Sequence, residues 1–198
     1  MAYSKFTLQG ILEAFDLTEI HEKSIGKITK YEPSPWLTQT LQYSMRVAYV
    51  SEKSRSEAII MPILLELQNI NNNSFSIYSG ANLDADKKLS LNGECDFVLS
   101  KSVQSVEINA PIFCMTEAKD GVIPKSWGQC VAQMVGARIY NKKHNKHYEI
   151  IYGCVTNGDN WQFIKLHENT VIIYESMIYL NDLPGILGAF QFIIDQYN

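Results

Sequence analysis

Pro111-Ile112-Phe113-Cys114-Met115-Thr116-Glu117-Ala118-Lys119 and, upstream, Gly93-Glu94-Cys95-Asp96-Phe97-Val98-Leu99 are the two stretches on which the reading of this chain turns. Both are rich in β-branched, aromatic and other apolar residues, the composition of a buried strand. Each also carries acid, and charge inside an apolar strand is costly unless something balances it. Glu117 and Lys119 are two positions apart, so on a strand they project from one face while Ala118 faces the other. If the two strands are neighbours, Asp96 lies near that pair. Two such carboxylates repel one another unless a cation sits between them. A hard ion with oxygen ligands, Mg2+ or Mn2+, meets the need. The ion would also polarise a phosphate and acidify a water, with Lys119 beside it to position that water or to balance developing charge. A bare E-x-K arises by chance about once in a chain of this size, and solvated surface ion pairs are the competing account of all three residues.

Outward from these strands the pattern is mixed. The first third reads as helical, with Phe6, Ile11, Leu12 and Phe15 at helical spacing and a helix start at Ser34-Pro35. Ser51 to Leu67 is a second apolar helix that Pro62 either kinks or delays. Asn71 to Ser74 is a loop, Phe75 to Tyr78 a short strand, Gly80 to Lys88 a polar loop, and Leu89 to Leu99 and Ala110 to Ala118 further strands. Trp127 to Tyr140 is helical, with Val131, Met134, Val135 and Ile139 on one face, and Asn141 to His147 is a basic solvated turn. Tyr148 to Val155 and Trp161 to Leu166 flank a hairpin turn at Asn157-Gly158-Asp159-Asn160. Val171 to Ser176 is another strand, and Leu183-Pro184 opens a last helix. Trp161 and Phe163 alternate on their strand, so one of them is a candidate for base stacking, with core packing as the other use. The order predicts an α/β fold, a mixed sheet covered by helices rather than an all-parallel one.

A length of 198 residues suits one domain, with 46% hydrophobic and 19% charged residues. No apolar run of about 18 residues is present, so no membrane partner is expected. Met1 to Gly10 lacks the pattern of a secretory signal, which predicts a cytoplasmic location. The four cysteines, at 95, 114, 130 and 154, lack C-x-x-C spacing and read as buried free thiols. A net charge of −4 runs against dedicated duplex-DNA binding, so nucleic-acid affinity would need a local basic patch. Arg138 with Lys142, Lys143 and Lys146 offers the best one.

The runs D-F-V-L-S, P-I-F-C-M-T-E-A-K and G-Q-C-V-A-Q-M together resemble the core of the PD-(D/E)XK nuclease superfamily, and in particular the N-terminal domains of type I restriction subunits and related bacterial proteins. Cys95 stands where the superfamily usually has proline. The resemblance implies a restriction-endonuclease-like, three-layer α/β/α fold over residues 1–198, with a helical N-terminal region over about residues 1–50. It implies that Asp96 and Glu117 hold the metal and that Lys119 assists the water. The superfamily also carries an acid on an early helix. Glu57 shares a face with Ile60 and Leu64 and is preferred there over Glu52. Gln129 and Gln133 share a helical face, and Gln133 is counted with the catalytic set. The activity implied is metal-dependent hydrolysis of phosphodiester bonds in nucleic acid, with DNA as the expected substrate. The alternative is a catalytically silent module of a restriction or defence system. A homodimer or a partner protein would supply recognition that one chain lacks.

Overall fold

The computed structural model describes residues 3–46, 48, 51–102, 105–118 and 122–197. Its centre is an eight-stranded mixed sheet. The strands are β1 (Thr18–Glu22), β2 (Ser76–Asn82), β3 (Glu94–Ser100), β4 (Ile112–Ala118), β5 (Ile150–Thr156), β6 (Asn160–His167), β7 (Thr170–Tyr174) and β8 (Ile178–Tyr179). Their spatial order is β1-β7-β6-β5-β4-β3-β2, with β8 beside the start of β6. β2, β3 and β4 form an antiparallel meander. β5 then lies parallel to β4, as a helical crossover allows, and β6 and β7 return antiparallel.

Helices cover both faces. α1 (Leu8–Ala14) and α5 (Trp127–Lys143) pack on one side over Met115, Val98, Val155 and Ile164. α2 (Pro35–Ser44), α3 (Glu52–Arg55), α4 (Met61–Ile70) and α6 (Leu183–Asp195) pack on the other over Phe97, Phe113, Trp161 and Phe163. The capping chemistry is local. Ser34 Oγ accepts from Leu37 N at α2, and Asp182 accepts from Gly185 N at α6. The expected mixed α/β sheet flanked by helices is thus observed, and no helix among the described residues is long and apolar enough to cross a membrane.

Several sequence expectations change. The N-terminal region is not wholly helical, because Thr18–Glu22 pairs in parallel with β7. This edge strand is mostly exposed, so it lacks the apolar alternation that would announce it. The strand expected from Leu89 starts only at Glu94, since Ser90 (φ 60°) and Gly93 (φ 129°) turn the chain first. The regular helix α4 does begin late, at Met61, with Pro62 in its first turn where a missing N–H costs no hydrogen bond. A π turn over Ser56–Ile60, with Met61 N donating to Ser56 O, leads straight into α4. α5 continues to Lys143, and Asn141 is buried on it rather than in a turn. Its amide donates to Ile112 O at 2.6 Å and accepts from Ile112 N at 2.7 Å, fixing the start of β4.

α5 is buried almost all round over Cys130–Ala137, not along one stripe. Its outer face is roofed by the N-terminal segment, and glycines permit the approach. A Cβ on Gly136 would fall 2.3 Å from the Tyr3 hydroxyl, and one on Gly128 2.3 Å from the Thr7 carbonyl carbon.

Candidate metal centre at the end of the central strands

β3 and β4 pair as Phe97↔Thr116, Val98↔Met115 and Leu99↔Cys114. The paired register ends at Phe97↔Thr116, so Asp96 and Glu117 are the next residue of each strand beyond it. The backbone ladder is replaced there by a side chain: Ala118 N donates to Asp96 Oδ2 at 2.7 Å. Asp96 is thereby pinned to the strand that carries Glu117.

Glu117 is 0% exposed, beneath α5. Gln133, likewise 0% exposed, reaches down from α5, and its Nε2 donates to Glu117 Oε2 at 2.6 Å. A short, buried amide–carboxylate bond of this kind fixes the carboxylate against rotation. Gln133 Oε1 is buried and has no hydrogen-bond partner among the described residues. Of the two glutamines named from the sequence, Gln133 is the one that meets the acid.

Asp96 is half-buried and opens into a cleft of ≈ 370 Å³. Glu52 and Glu57, from the helix on the opposite face of the sheet, line the same cleft, as does Glu94. Both candidates for the helix acid thus reach it. The Glu57 side chain is 68% exposed, with one oxygen 3.8 Å from Lys53 Nζ. Glu94 was quoted in the strand motif but not assigned a place in the site. Its position two before Asp96 was the available signal, because alternate strand residues share a face. Gly80, at φ 62°, lies beside it in a backbone conformation that favours glycine. Lys119 lies outside the described residues.

The field of these acids reaches the neighbouring thiols. Burial pushes the Cys95 thiol well up, and the charges of Glu117, Asp96 and Glu94 push it further. Cys130 is raised by burial first and by Glu117 next. Both sulfurs stay protonated and inert. All four cysteines are free and buried, as their apolar settings indicate.

The donor set is hard oxygen from carboxylates, which fits Mg2+ or Mn2+ and not a thiophilic ion. Among the described residues no three His, Cys, Asp or Glu side chains are grouped to hold an ion by themselves. Two protein carboxylates, with water and phosphate completing the shell, are a common Mg2+ arrangement.

Two other candidates fall away from the site. Trp161 and Phe163 are both buried against Phe190, so neither is free to stack on a base. Lys142 and Lys143 lie in the last turn of α5, more than two turns beyond Gln133, the residue that meets Glu117. Lys143 is engaged with Ala85 O and Asp86. No protein-family model, curated protein or solved structure matches this chain.

Proposed function

We propose that this protein is a metal-dependent nuclease of the PD-(D/E)XK type, hydrolysing phosphodiester bonds of DNA. The observation that carries this reading is a fully buried Glu117, held by Gln133, on the strand whose Ala118 N–H donates to Asp96, the carboxylate that opens into an acidic cleft. Burying a carboxylate in that position costs several kcal/mol unless it is used, roughly as for other buried charges. The order of parts along the chain also supports the reading: an acid on an early helix, an Asp strand, a Glu strand and a Gln helix.

Asp96 and Glu117 hold Mg2+ or Mn2+ in this scheme. When bound, the cation would polarise the scissile phosphate and acidify a water. Glu57, exposed at the cleft, acts through water rather than as a direct ligand. Gln133 keeps Glu117 in one rotamer. Lys119, two residues after Glu117 in the sequence, is the group assigned to orient the attacking water.

The acidic rim of the cleft favours a second reading, a silent module whose partner supplies affinity for nucleic acid. The two separate in one assay: cleavage of plasmid, linear duplex, single-stranded DNA and RNA in Mg2+ and Mn2+, comparing the native chain with Lys119→Ala. Cleavage that vanishes in the variant supports the nuclease. No cleavage by either chain, or equal cleavage by both, points to the silent module.

A further inference from the structure

The helix that brings Glu57 to the acidic cleft also walls a second groove of different chemistry. It encloses ≈ 460 Å³, within the range of about 300–1,000 Å³ of small-molecule sites. Leu41, Ile59 and Leu183 form apolar walls, and Gln42, Asn181 and Asp159 stand around them. Among the described residues no Lys, Arg or His lines it, so it does not suit a phosphate. Two amides and one carboxylate over apolar walls suit a neutral heterocycle with donors on its edge.

Its position relates it to the candidate centre. Ile59 is two residues after Glu57 and three after Ser56, both of which line the acidic cleft. One short stretch of helix therefore contributes to both hollows. Asp159 is held at the tip of the β5–β6 hairpin. Its N–H donates to Asn157 Oδ1 at 3.1 Å, and its carbonyl accepts from Leu180 N at 2.8 Å. Gly158, at φ 88°, brings the tip against the helix, where a Cβ would lie 3.1 Å from Ile59 Cδ1. The backbone is thus fixed, while the Asp159 carboxylate has no hydrogen-bond partner among the described residues.

We propose that this groove receives one unstacked base of single-stranded DNA beside the scissile phosphate, with Asp159 accepting from an exocyclic amino group. The inference rests on the nuclease reading and deepens it. A base paired in a duplex has its Watson–Crick edge and both faces occupied, so the groove selects single strands or frayed ends. A carboxylate favours cytosine, whose amino group donates, over thymine, whose edge presents two carbonyl oxygens.

The test is fluorescence anisotropy of the full chain with labelled oligodeoxycytidylate and oligothymidylate, in chelator and low salt so that binding is read without cleavage. The native chain binds the cytosine strand about tenfold more tightly, and Asp159→Ala removes that difference. Asn181→Ala, a second exposed position, weakens the cytosine strand as well. Equal affinity for both strands, a preference that survives Asp159→Ala, or no binding at all would overturn the inference. In the first two cases, metal-dependent cleavage lost in Lys119→Ala leaves the nuclease reading standing. Base-selective binding through Asp159 without cleavage supports the groove and removes the enzyme.

Discussion

Replacing Gln133 with glutamate places a second carboxyl where an amide now donates to Glu117 Oε2 at 2.6 Å. Gln133→Leu is the reference. It removes a hydrogen bond to the Glu117 carboxyl, worth roughly 1.5–3 kcal/mol, but also removes a buried Oε1 that has no hydrogen-bond partner among the described residues, an orphan that costs about 1–3 kcal/mol. The two terms oppose, so the leucine variant stays within about 2 kcal/mol of the native chain. Gln133→Glu keeps neither benefit. Two charges about 4 Å apart at an effective dielectric near 20 repel by about 4 kcal/mol, on top of the lost bond. The new carboxyl escapes by staying protonated in the folded state. Its folded pKa is then raised above the unfolded value of about 4.3, so the folded state holds the extra proton and stability falls as pH rises through that value, by up to about 1.4 kcal/mol per pH unit. Urea unfolding followed by circular dichroism, in chelator at about pH 5 and about pH 8, reads this out. The glutamate variant should be close to the leucine variant at the lower pH and much weaker at the higher. Equal midpoints at both pH values would refute the placement of Gln133 against the Glu117 carboxyl.

Three further outcomes follow from the packing. Gly128→Ala drives a methyl into the backbone at Thr7, which cannot swing aside, and should cost roughly 2–3 kcal/mol net of helix propensity, a fall of several degrees in Tm by calorimetry. Asn141→Ala strands both backbone groups of Ile112 in the interior and should lower stability by roughly 2–4 kcal/mol in urea titration. Burial pushes the Cys114 thiol and the Tyr152 phenol each up to about 12. The folded state keeps these protons while the unfolded chain releases them, so the stability they lend is complete below about pH 9 and is lost as pH climbs towards 12. A midpoint that did not move over that window in denaturant titration would contradict the burial of both groups.

The parts that were legible in the sequence are those in which burial and period agree. β4 is buried at every position, and its apolar run announced it despite Glu117. The hairpin at Asn157–Asn160 was marked by Asn-Gly, and Gly158 does take a positive φ. β1 and β8 left no such trace, because one is an exposed edge and the other has two residues. The π turn was illegible for a different reason. Pro62 shows that a regular helix is impossible around it, but not which of several repairs the chain adopts. In the site, Asp96 and Glu117 were legible as charge inside apolar strands, but their approach required β3 and β4 to be neighbours, which the fold supplies. The choice of Gln133 over Gln129 needed the tilt of α5 on the sheet. The groove at Ile59 was invisible because its walls come from α2, the helix that carries Glu57, a hairpin tip and the start of α6, brought together only by the fold.

The most direct measurement is thermal unfolding in millimolar Mg2+ and Mn2+ for the native chain, Asp96→Ala and Glu117→Gln. A competent site at a metal concentration about a hundredfold above its Kd gains about 2.7 kcal/mol by mass action, a rise of roughly 5–11 °C for a domain of this size. The native chain should show that rise and both variants should lose it. An unmoved native Tm, or an equal rise in all three, would contradict a metal centre at Asp96 and Glu117.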